Sequence, residues 1–230
     1  MKTISCITPP TITLDPVKTP QLNPAKPIDQ EIIELIININ KQIEDLINQY
    51  KTGKIDAKTI ANFCKSIVED IRTMLHVGNS LNKEISSALD ELHKYIKNTP
   101  LPEAVKSFIN GLLVQIEHAN SELSLDLKKL DEAIDKIEEY INQASEQIKS
   151  DADQFINFLS EFANVLNGIV NVLTKVNALI QGIKKMLKDH PILEHVLDIS
   201  SKLVAGTEFV LATVKSVVNK LLDMFKYFFA

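Results

Sequence analysis

The sequence predicts an all-α fold: an antiparallel helical bundle of about six helices, two of them long and coiled-coil-like, behind an extended Pro-rich N-terminal arm. Three observations carry this. Apolar residues recur at alternating four- and three-residue spacing through nearly all of the chain after residue 28. Only 6 of 230 residues are glycine, well under the usual ~7%, which leaves little for phosphate loops or strand-rich folds. Six of the nine prolines fall within residues 1–27, so helix breakers are scarce beyond them.

The division is therefore an arm, 1–27, and a single helical-bundle domain, 28–230. In the arm, Pro9, Pro10, Pro16, Pro20, Pro24 and Pro27 exclude helix and interior strand. Its Ile4, Ile7, Ile12, Leu14, Val17 and Leu22 suit contact with the body of the protein or a neighbour. Three shorter helices are expected over 29–98. The first opens at Asp29 as N-cap and lines up Ile32, Ile36, Ile39, Ile43, Leu46 and Tyr50. A short turn ends at a second N-cap, Asp56, and the next helix carries Ile60, Cys64, Ile67, Ile71 and Met74 to a stop near Gly78-Asn79. The third runs from about Ser80 with Leu81, Ile85, Ala88, Leu92 and Tyr95, ending before Thr99-Pro-Leu-Pro102.

Long helices are expected over about 102–149 and 151–189. Leu123, Leu127, Leu130, Ile134, Ile137, Ile141, Ala144 and Ile148 form one heptad series, and Phe155, Leu159, Phe162, Leu166, Ile169, Leu173, Val176, Ile180, Ile183 and Leu187 form another. Between them, Ser150-Asp-Ala-Asp153 has the form of a capping box and marks the break of a hairpin. A final helical segment, 192–229, passes a weak point at Gly206 and repeats Val210, Val214, Val217, Leu221, Met224 and Phe228.

Charge excludes several functions. The net charge is −5, and the basic residues are 24 lysines and one arginine, Arg72. Bidentate clamps on phosphate or carboxylate are built from arginine, so neither nucleic acid nor a phosphorylated substrate is expected as a partner. Residues 117–161 hold 12 acids and 4 lysines, whereas residues 162–230 hold 8 lysines and 5 acids. Pairing of the acidic with the basic helices is one reading of that asymmetry, and a solvated acidic face is the other.

Nothing in the pattern points to catalysis. Asp189-His-Pro-Ile-Leu-Glu-His195 gathers two histidines and two acids, but Pro191 interrupts the helix and the spacing matches no zinc motif, so a capped helix end is the better reading. Asp131, Glu132, Asp135, Glu138 and Glu139 fall between apolar heptad positions and are expected to face outward, and no Glu-x-x-His pair accompanies them. Cys6 and Cys64 read as two reduced thiols. No enzyme activity, metal, cofactor or small-molecule substrate is expected.

The leading reading is a non-catalytic interaction or assembly protein. It would contact itself or another helical protein through coiled-coil faces, the arm and the aromatics Phe225, Phe228 and Phe229. The alternative is a membrane-active protein that resembles helical pore-forming toxins in architecture. Phe162–Ile183 carries a single charge, and its Asn164, Asn167, Asn171 and Lys175 form a polar stripe opposite a broad apolar face. Phe158, Val165, Val172, Leu179 and Met186 widen that face. No secretory signal and no run of ~20 apolar residues is evident, so cytoplasmic and leaderless-secreted locations are both left open.

Overall fold

The computed structural model describes residues 27–143 and 152–229. They form five helices: α1 (Pro27–Lys51), α2 (Ala57–Asn98), α3 (Glu103–Gln143), α4 (Ala152–Met186) and α5 (Pro191–Phe229). The Pro-rich arm, Cys6, and the proposed cap at Ser150 lie outside the described residues.

Short turns set the topology. At Gly53 the backbone takes φ +68°, a left-handed turn that glycine adopts without Cβ strain. The Asp56 carboxylate then accepts from Thr59 N at 2.7 Å, capping α2 as the sequence predicts. α1 begins two residues earlier than its expected cap, with Pro27 in the first turn, where its missing N–H has no partner to lose.

The largest departure from expectation is α2. The stop expected at Gly78-Asn79 is absent, and 42 residues run as one helix. A Cβ built on Gly78 would meet Leu211 Cδ2 at 3.4 Å, and one on Gly206 would meet Leu81 Cδ1 at 3.7 Å. Both glycines therefore lie where α2 and α5 pack together, each beneath a leucine side chain of the other helix. Gly206 likewise leaves α5 unbroken. Near the end of α2, Ile96 is buried and Tyr95 is 43% exposed. A straight helix drifts ~20° per heptad from a strict 3.5-residue repeat, so after five heptads the buried position has moved on by one residue.

Cross-helix bonds fix the directions. Arg72 reaches Glu138 and His93 reaches Glu117, so α2 and α3 are antiparallel. Thr174 reaches Glu208 and Lys184 reaches Asp198, so α4 and α5 are antiparallel too. The Gly78–Leu211 and Gly206–Leu81 approaches make α2 and α5 antiparallel. The result is an up-down-up-down ring in the order α2, α3, α4, α5, with α1 laid against α2. Every residue of the α4 heptad series is buried at 3% exposure or less, and the heptad positions Leu123 to Ile141 of α3 at 4% or less; Ala144 and Ile148 lie outside the described residues.

Candidate interaction surfaces

The predicted contact residues fall into three groups. Asn164, Asn167, Asn171 and Lys175 are all exposed along the outer side of α4. The row beside the heptad, Phe158, Val165, Val172 and Leu179, is half-buried and packs against the core, with Met186 the exposed member at 43%. In this closed ring α4 turns apolar groups inward and amides outward. It is also long and apolar enough to cross a membrane, by length and composition only. The sequence reading singled out its Phe162–Ile183 part as the insertion candidate while finding no uninterrupted run of ~20 apolar residues, because asparagines break the run without adding charge.

Phe225 requires a correction. It is 2% exposed, with its ring 4.5 Å from that of Phe155, which in turn stacks at 5.9 Å on Tyr140. Tyr140 also meets Phe158 edge-on at 6.0 Å. This aromatic cluster ties α3, α4 and α5 together, so Phe225 is a core residue of the ring rather than an exposed contact. The side chains of Phe228 and Phe229 lie outside what the structure describes.

A second correction concerns the acids of α3. Asp131, Asp135 and Glu138 do not simply face outward. Arg72 donates to Asp135 at 2.8 Å and to Glu138 at 2.6 Å, bridging acids one turn apart, and Asn79 donates to Asp131 at 3.0 Å. Burial lowers the Arg72 pKa, but the bonds to Asp135 and Glu138 outweigh it and hold the guanidinium above its ordinary value. These acids thus find their partners on α2, the helix next to α3 in the ring, while α5 lies across the diagonal. Glu132 and Glu139 are exposed.

Two buried amides were missed by the sequence reading. Asn82 donates to Ser124 Oγ and Asn120 donates to Ser86 Oγ, each at 2.7 Å, forming a polar layer inside the α2–α3 seam. Extending the α3 heptad backward through Leu113 and Ile116 places Asn120 on the apolar register. That is the signal that could have revealed it. An amide at such a position sets register at some cost in stability, and here Asn82 Oδ1 is buried without a hydrogen-bond partner.

Chemistry-bearing groups remain dispersed. Among the described residues no group of three or more His, Cys, Asp or Glu side chains is arranged to hold a metal ion. Cys64 is a free, fully buried thiol whose pKa burial pushes up, which suppresses the thiolate.

Residues 27–230 match the family model described as protein phosphatase 1 regulatory subunit 21, six-helix bundle. The chain belongs to this family. No curated protein and no solved structure matches it. In this member of the family the helical-bundle character is plain. Five helices lie within the described residues, one of them the unbroken α2. Exposed apolar side chains sit on several of them: Ile37 on α1 at 62%, Val114 and Leu125 on α3 at 59% and 63%, and Ile192 and Ile199 on α5 at 64% and 42%.

Proposed function

We propose that this protein is a non-catalytic interaction protein that holds a helical partner, either a second copy or another chain, against unclosed faces of its bundle. The observation that carries the reading is the apolar arc of α1, which is wider than α2 covers. Ile32, Ile39, Ile43 and Leu46 are buried, while Ile33 and Ile36 are only half-buried and Ile37 is 62% exposed. A helix whose apolar stripe exceeds its own contact area can receive a further helix on the remainder. Membership of a family described as a regulatory subunit supports a binding role over a catalytic one. The arm and the aromatics Phe228 and Phe229 adjoin this reading as further contact elements.

Light scattering coupled to size-exclusion chromatography over a concentration series tests it. A mass that rises with concentration, and falls to that of a monomer in Ile37→Glu with an unchanged melting temperature, is the expected result. A monomer throughout that also fails to bind any helical protein in a crosslinking screen would defeat the proposal.

The membrane-active alternative has one observation in its favour, the length and apolar composition of α4. Its insertion requires the ring to open, because α4 buries its heptad series between α3 and α5. Release of dye from liposomes, altered by Asn167→Leu without loss of helicity, would select it.

A further inference from the structure

The topology gathers at one end of the ring residues that are far apart in sequence. The α2–α3 turn (99–102) and the α4–α5 turn (187–190) lie at the same pole, because α2 and α5 are antiparallel and each pairs with its hairpin neighbour. Residues 93–108 and 184–195, which build that pole, contain six lysines against three acids in a chain whose total charge is −5. Lys94, Lys97, Lys185 and Lys188 are exposed there and make no ion pair among the described residues. The other two lysines are engaged: Lys106 lies 3.8 Å from Glu103 and Lys184 binds Asp198.

Exposed apolar groups stand among these cations. Phe108 is 56% exposed and Met186 43%, on the ends of the adjacent helices α3 and α4. Tyr95 at 43% and Ile192 at 64% occupy the corresponding ends of α2 and α5. Each of the four helices therefore presents one large apolar side chain within about a turn and a half of the same pole.

From this arrangement we propose that the pole is a peripheral docking surface for an anionic lipid bilayer. The charges are all lysine, point charges on flexible stems that suit a diffuse layer of headgroups and need no bidentate geometry. The four apolar groups are separated around a blunt end and do not form a groove. A bilayer interface receives such groups independently, whereas a protein partner needs a continuous complementary face. The remainder of the chain is acidic, with a net charge of −8, which orients this pole toward a negative surface. Docking leaves α4 packed within the ring, so it is distinct from insertion of that helix.

The test is flotation of the full chain with vesicles of phosphatidylcholine alone or mixed with phosphatidylserine, across a salt series. Binding is expected to the mixed vesicles, weakening with salt. The variant K94E/K97E/K185E/K188E is expected to lose roughly tenfold or more in affinity. F108S/I192S should lower binding at fixed salt, while K58E/K65E at the opposite end leaves it unchanged. Thermal melts establish that each variant folds. Equal binding to neutral and mixed vesicles, or equal loss in K58E/K65E, overturns the proposal. So does dye release that survives the four-lysine variant. If the four-lysine variant abolishes self-association while vesicle binding persists, the pole serves a second copy and the lipid proposal fails.

Discussion

Asp56 and Asp70 show how one residue type contributes with opposite sign to pH dependence. Asp56 accepts from the Thr59 backbone N–H, which holds its carboxyl below the ordinary value of 3.8. Its contribution is present above that value and is lost as pH falls through the folded pKa. Asp70 is pushed up from 3.8 by burial against α1, although Gln42 and Asn38 donate to it at 3.3 and 3.4 Å. The folded chain then holds the proton more tightly than the unfolded chain. Stability accordingly decreases as pH rises from 3.8 through the raised value, and the ionised form is a standing cost at neutral pH. Asp70→Asn keeps an acceptor for both amides and removes that charge. It is expected to raise the melting temperature at neutral pH by about 1–2 °C, discounted for solvent screening. The gain should vanish at pH values below 3.8, where the aspartate is protonated in both states. Melting curves of the two proteins across the acid range decide this.

Among the helices, glycine carries the clearest lesson. Gly78 reads in sequence as a helix stop, yet the heptad runs through it without a phase change: Ile71, Met74, Gly78, Leu81 and Ile85 keep the four-three spacing. What glycine supplies there is room for Leu211. By contrast, a Cβ at Gly168 or Gly182 of α4 meets nothing within 4 Å. Gly168→Ala and Gly182→Ala should each stabilise by about 1 kcal/mol through helix propensity alone, read as rises of roughly 2–4 °C in melting temperature. Gly78→Leu should do the opposite, losing about 1–3 kcal/mol as the α2–α5 crossing is forced apart. If Gly78→Leu melted at the parent temperature, the packing of Leu211 over this position would not constrain the fold.

For the molecule as a whole, the buried residues of all five helices form one continuous core. Cys64 reports on it, being 1% exposed on α2 among residues of that core. Labelling of the Cys64 thiol by a small electrophile, measured in a Cys6→Ser background, should follow global unfolding and accelerate in parallel with the denaturant dependence of helicity. Labelling much faster than unfolding would show that α2 opens locally, and would divide the core into independently stable parts.

The helical class, the turns at Gly53 and Pro100–Pro102, the Asp56 cap, the buried positions of α3 from Leu123 to Ile141 and nearly all of those of α4 were legible in the sequence. Each depends on local spacing or on the chemistry of one residue, and a 3.5-residue repeat carries that information along the chain. The inward turn of Phe225, the Arg72 bridge to α3, the seat of Leu211 over Gly78 and the basic, apolar pole were decided by tertiary structure alone. They depend on which helix lies beside which, and many pairings of amphipathic helices share the same periodicity. Only the closed ring sets Leu211 over Gly78, brings Phe155 to Phe225, and places Lys94 and Lys188 at the same end of the molecule.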